Sequence, residues 1–159
     1  MVRVYISIGS NQNRARNIAH TLDRLQGLFG SIQCSPVYRS AAVDGTGADY
    51  YNLAVGFDTA LPLTELRHLM RAIEAELDRD RGQSHVVSID LDVLLYGELG
   101  GDFADCCLPH PDIFSYPHVL KPLADIAGDV VPPGSEKTIG ELLEALAPQS
   151  DAAQRVGEH

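Results

Sequence analysis

Tryptophan is absent from this chain, aromatic residues make up only 6% of it, and its three cysteines form an odd set. Cys34, Cys106 and Cys107 lack the paired spacings of a zinc site, so neither a disulfide framework nor a structural metal is expected to hold the fold. The vicinal Cys106 and Cys107 read as small apolar side chains. No apolar run approaches the ~20 residues needed to span a membrane. The opening MVRVYISIGSN enters an alternating pattern at once, without the apolar stretch of a secretory signal. Basic residues are scarce as well: 12 Lys and Arg face 22 Asp and Glu, for a formal net charge of −10. That balance argues against a broad nucleic-acid face, which needs a basic surface. It leaves room for a small anion held by local cations such as Arg79 and Arg81. The expectation is a cytoplasmic protein with no membrane or nucleic-acid partner.

What remains is ordinary globular material, with 45% hydrophobic and 21% charged residues over 159 positions. A chain of this size can bury a core unaided. A single domain over residues 1–148 is expected, followed by a polar, frayed tail at 149–159. Val2, Val4, Ile6 and Ile8 alternate with polar neighbours, which predicts a strand over residues 2–8. Gly9-Ser10-Asn11 breaks it and offers turn and capping chemistry. Ala15, Ile18, Leu22, Leu25 and Phe29 recur at helical spacing up to Gly30. Residues 31–39 read as extended, 41–48 as a loop around Asp44-Gly45, and 50–58 as a strand with Leu53, Val55 and Phe57 on one face. Pro62 and the apolar positions Leu63 to Leu77 predict a second amphipathic helix. A strand at Asp90, then short helices near 116–126 and 139–146, complete the series. The order β–α–β–β–α–β predicts an α+β protein with a ferredoxin-like core and additional C-terminal short helices.

The segment SIDLDVLLYG, residues 88–97, carries the chemistry. Its aliphatic residues predict a buried strand, and period-two alternation sets Asp90 and Asp92 on one face, roughly 6–7 Å apart. Two carboxylates beside a core repel each other and lose hydration unless a cation lies between them. A divalent cation that also carries phosphate oxygens suits such a pair. The alternative is a half-exposed strand with two solvated aspartates.

The opening VYISIGSN, the VYRS…DYYNLAV middle and the IDLDVLLYG–LPHPD ending together resemble the 6-hydroxymethyl-7,8-dihydropterin pyrophosphokinases of folate biosynthesis, over residues 4–133. The resemblance implies transfer of pyrophosphate from ATP to the hydroxymethyl group of a reduced pterin, with release of AMP, by a monomer. It implies that Asp90 and Asp92 hold two Mg²⁺ ions on the triphosphate. Arg79, Arg81, His110 and Glu74 would lie at the nucleotide, the two arginines following charge onto the leaving AMP. On the acceptor side it implies Asn52 reading the pterin edge, with Ser40, Ala41, Val43, Tyr50 and His118 lining the pocket. Gly9, Ser10 and Asn11 are mainly structural by the same comparison.

Several positions depart from the family pattern. A Gly-Pro-Arg segment and an aromatic lid residue usually precede the Asp-x-Asp strand; here the arginine falls on Val87 and the lid residue has no counterpart. A stacking aromatic falls on His118, and a further arginine on Tyr116. Lys121 and His85 are the candidate replacements for the lost cations. These departures keep two alternatives open: a related kinase with a different small-alcohol acceptor, and a non-catalytic module that binds nucleotide or pterin.

Overall fold

A computed structural model describes residues 1–79, 82, 86–103, 106–146 and 153–156. Strand β1 (Val2–Ser10) leads to helix α1 (Arg14–Phe29), then to strands β2 (Gln33–Cys34), β3 (Tyr38–Ser40) and β4 (Tyr50–Thr59). Helix α2 (Leu63–Glu76), strand β5 (Asp90–Tyr96) and the hairpin β6 (Gly101–Phe103) and β7 (Cys106–Leu108) follow. A 3-10 turn (Pro111–Phe114), helices α3 (Pro117–Ala127) and α4 (Ile139–Ala145), and strand β8 (Ala153–Arg155) complete the described chain. The main sheet runs β5-β1-β4-β3-β8, with β2 also paired to β4, and its ladders are antiparallel. No described helix is long and apolar enough to cross a membrane.

Alternation on the central strands creates two cores. Ile6, Ile8, Leu53, Val55, Phe57, Leu91 and Val93 face α1 and α2, whose Ile18, Leu25, Leu66 and Ile73 close against them. Each such aliphatic side chain contributes about 1.5–3 kcal/mol through burial. The opposite face presents Tyr5, Ala54, Leu94 and Leu95 to Val119, Leu120 and Leu123 of α3 and Ile139 of α4. Two consecutive leucines share this face because the β1–β5 register slips between Tyr5 and Ile6, where Ile6 pairs with Val93 and Tyr5 with Leu95. Leu94 is the extra residue of a bulge.

Ser10 and Asn11 do not cap α1. The cap position is Asn13, in the left-handed region at φ 47, with no side-chain cap hydrogen bond. Ser10 instead donates to the Ser88 carbonyl at 2.6 Å, and the Asn11 side chain accepts from the Val87 N–H at 2.6 Å. Asn17 adds a donor to the Ser88 carbonyl at 3.0 Å. This polar turn therefore fixes where the chain enters β5. Val87, the position at which the family pattern has an arginine, is buried there.

The C-terminal expectation needs correction. Residues 153–155, placed in a frayed tail by their polarity, form β8 against β3, with Ala153 opposite Ser40 and Arg155 opposite Tyr38. Cys107 is exposed rather than an apolar filler, whereas Cys106 packs against the first core.

Asn11→Ala removes the side-chain acceptor of a buried N–H far along the chain. It is expected to cost about 1–3 kcal/mol, read as a lower urea midpoint with an unchanged slope.

Candidate functional site

The face of the sheet that carries α3 is not covered to its end. Ser7 and Gly9 on β1, Asn52 on β4, and Asp90 and Asp92 on β5 share that face, with Gly9 paired to both Asn52 and Asp90. Beyond the reach of the helix they floor a cleft of about 300 Å³. Gly9 keeps the floor open, since a Cβ there would stand 3.4 Å from Asn52 Oδ1 and 3.7 Å from the Tyr50 ring. The walls come from Ser40, from Ala41 and Val43 on the following loop, and from Tyr50. His118, in the first turn of α3, and Asp112 close the far side. The Asn52 amide is oriented by donating to Ser40 Oγ at 2.9 Å.

A second, smaller cleft of about 170 Å³ lies along the outer edge of β5. Arg67 and Arg71 of α2, Cys106 and Cys107 of β7, and His110 line it, and Asp92 belongs to both clefts. His110 owes its position to the bulge: its N–H donates to the carbonyl of Leu94 at 3.0 Å. Its Nδ1 accepts from the Asp112 N–H at 3.1 Å, so any further contact of the ring is made by Nε2.

Burial together with the charge of Asp90 pushes the Asp92 carboxyl up to about 6, against the opposing charge of His110. Glu74 is buried behind β5, where its Oε2 accepts from the Leu91 N–H at 2.9 Å and its Oε1 accepts from Arg71 at 2.8 Å. Burial pushes Glu74 up to about 7, with the Leu91 hydrogen bond and Arg71 pulling the other way. Desolvation lowers His118 and raises Tyr50. A buried Asp92 pushed toward protonation beside a second carboxylate is an unsatisfied donor set for a hard cation, so these residues fit a divalent metal. No cluster of three or more acidic, His or Cys ligands occurs among the described residues.

Residues 5–128 match the model of the family described as 7,8-dihydro-6-hydroxymethylpterin-pyrophosphokinase (HPPK). The chain belongs to this family. It is 37% identical over 140 residues to the 2-amino-4-hydroxy-6-hydroxymethyldihydropteridine pyrophosphokinase of Synechocystis, covering 82% of this chain and 72% of that one. With the enzyme of the same name from Methylorubrum extorquens it shares 35% over 155 residues, covering 93% and 96%. Some relatives are much longer: the match covers 20% of the folic acid synthesis protein of Pneumocystis carinii. Among solved structures, a Plasmodium falciparum HPPK-DHPS superposes with a TM-score of 0.76 at 11% identity, over 97% of this chain and 46% of that one. At that identity the likeness concerns the fold.

The acceptor residues expected from the HPPK resemblance, Ser40, Ala41, Val43, Tyr50, Asn52 and His118, are brought together in the larger cleft with Asp90 and Asp92. His110 lies on the smaller one. Arg79 sits just past α2, its N–H on the Glu74 carbonyl, close enough to Tyr50 for its charge to oppose the effect of burial there. Glu74 is a buried support of β5 and lines neither described cleft. Arg81 and His85 lie outside the described residues. Lys121 is committed elsewhere, donating to the Ala153 carbonyl at 2.5 Å. Gly9, mainly structural by its sequence context, also shapes the cleft floor. Arg67 and Arg71 escaped the sequence reading; their signal is an i, i+4 basic pair on the polar side of α2, just before Glu74.

Glu74 has a raised pKa in the folded state, so folding is favoured most below its unfolded value near 4.5 and loses that stability as pH climbs through about 7. In metal-free protein, Glu74→Gln is expected to flatten this loss and to gain about 1–3 kcal/mol at pH 8. Thermal unfolding across pH 4.5 to 8 checks it.

Proposed function

We infer that this chain transfers the pyrophosphoryl group of ATP to the hydroxymethyl oxygen of 6-hydroxymethyl-7,8-dihydropterin, releasing AMP, a step of folate biosynthesis. One observation carries the assignment of parts: Asp92 is common to two clefts of different character. The larger, with an amide and two ring side chains on its walls, takes the flat pterin. Asn52 reads the donor–acceptor edge of the ring, while Tyr50 and His118 contact its faces. The smaller takes the nucleotide, with Arg67 and Arg71 supplying positive charge and His110 Nε2–H a hydrogen bond to the phosphates. The acceptor hydroxyl then meets the β-phosphorus beside Asp92.

In the displacement, a bond forms between the hydroxymethyl oxygen and the β-phosphorus. The bond from that phosphorus to the bridging oxygen of the α-phosphate breaks, AMP leaves with that oxygen, and the hydroxyl proton passes to solvent. Little covalent work falls to the protein, so catalysis consists of positioning and charge stabilisation. Asp90 and Asp92 would hold two Mg²⁺ ions. When bound, the metal neutralises phosphate charge and draws electron density from the reacting oxygens. Glu74 holds the Leu91 peptide between the two aspartates and so fixes their spacing. Arg79, and Arg81 by the family resemblance, supply cations to the transferred and leaving phosphates.

The strand order, and the element order β–α–β–β–β–α–β in which the short β2 and β3 both pair with β4 and share the place of one strand, support reading the core as ferredoxin-like, with α3 and α4 as additions. We read the chain, whose β8 at 153–155 belongs to the main sheet, as one domain acting as a cytoplasmic monomer. His118, where the family pattern has an aromatic, favours a second reading in which a related small alcohol is the better acceptor.

Asp90→Ala and Asp92→Ala are each expected to lower pterin-dependent AMP release by about two to four powers of ten, as loss of a metal clamp worth several kcal/mol requires. Mg²⁺ should then cease to strengthen ATP binding in calorimetry. Unchanged magnesium dependence in either folded variant would remove the metal assignment.

The two clefts also separate by kinetics. Asn52→Ala should raise the KM for the pterin about tenfold or more and leave that for ATP within about twofold, while Arg71→Ala should do the reverse. A series of pterin alcohols compared by kcat/KM decides between the two acceptor readings.

A further inference from the structure

The geometry points to β8 as a clamp on the acceptor cleft, with Arg155 as a positioning residue for pterin binding. This rests on the assignment of the larger cleft to the pterin. β3 has only three residues, Tyr38–Ser40. On its inner side it pairs with β4, Tyr38 opposite Asn52 and Ser40 opposite Tyr50. Its outer side would be a bare edge without β8, and so short a strand held from one side is marginal. The last residue of β3, Ser40, is the acceptor that orients the Asn52 amide, and the chain passes directly from it into the loop bearing Ala41 and Val43. Whatever steadies β3 therefore steadies the reading edge and the rim together.

β8 is held to β3 and to α3 by side chains unconnected with catalysis. Ala153 is fully buried opposite Ser40. Its carbonyl accepts from Lys121 Nζ of α3 at 2.5 Å. Arg155 donates to the Tyr38 hydroxyl at 3.3 Å, lies 3.5 Å from Asp125 Oδ1, and stands 5.7 Å over the Tyr38 ring. Tyr38 itself donates to Asp125 Oδ2 at 2.5 Å, and the Val156 N–H donates to the Val37 carbonyl at 2.7 Å. Lys121 and Asp125 lie one turn apart on α3, and His118, a turn before Lys121, lines the cleft. One helix thus grips β8 and places a cleft wall, so the grip and the wall move as a unit. The smaller cleft shares none of these contacts.

The test compares Arg155→Ala, Arg155→Lys, Ala153→Asp and, as a marker of the cleft, Asn52→Ala in the full chain. Steady-state kinetics with Mg-ATP and the hydroxymethyldihydropterin are paired with pterin binding by fluorescence without turnover. Arg155→Ala is expected to raise both the KM and the Kd for the pterin about tenfold, with kcat and the KM for ATP within about twofold. Arg155→Lys keeps a cation for Asp125 and should recover part of the loss. Ala153→Asp, if it folds, should match or exceed the effect of Arg155→Ala. Should Asn52→Ala weaken pterin binding while Arg155→Ala does not, the clamp is overturned and the cleft assignment stands. If neither does, both fall. Parallel rises in the KM for ATP and the pterin would reduce β8 to general structural support and also overturn the inference.

Discussion

Two carboxylates on one face of an edge strand repel each other and resist burial, and the strand that carries them must be held nonetheless. β5 is held from each direction it can be approached. Along its inner edge it pairs with β1, which sets Asp90 against Gly9 and Asp92 against Ser7. Beneath it, Leu91 and Val93 lock into the first core. Beyond its outer edge, buried Glu74 accepts the Leu91 N–H. At its entrance, Ser10, Asn11 and Asn17 bind residues 87 and 88. The apolar side chains supply the energy, and the polar contacts fix the register at which the aspartates emerge.

A raised carboxyl in both Asp92 and Glu74 follows from this arrangement. Carboxyls held in this way favour an added positive charge at the strand, at a cost in stability while none is there. The bulge at Leu94 belongs to the same design. By putting two leucines on the α3 face it frees a carbonyl, and that carbonyl anchors His110 beside the strand end where the two clefts join. Bulges commonly re-aim a side chain next to a functional site, and here the re-aimed group is delivered by a loop sixteen residues downstream of the bulge.

Membership of the HPPK family and the departures from its pattern fit the same frame. Val87 is a buried residue whose backbone pairs with Asn11, so it serves the β5 entrance rather than a phosphate. Lys121, a candidate replacement cation, is consumed by β8. The positive charge of the smaller cleft instead comes from Arg67 and Arg71 on α2, reached from the opposite side of β5.

The central strands, both long helices, and the pairing of Asp90 with Asp92 on one face are legible residue by residue, because each depends on a local period of two or 3.6 residues. Tyr50 and Asn52 were legible for the same reason, with Tyr51 turned to the opposite core. Which residues meet across long separations is set by how the elements pack. β8 is too short and polar to announce itself, and it exists because β3 offers an open edge and Arg155 finds Asp125 and Tyr38 there. Asp92 serving two clefts, the bulge that aims His110, and Ser10 and Asn11 bracing β5 instead of capping a helix have the same origin. Each is set by register and packing between elements, which no local period encodes.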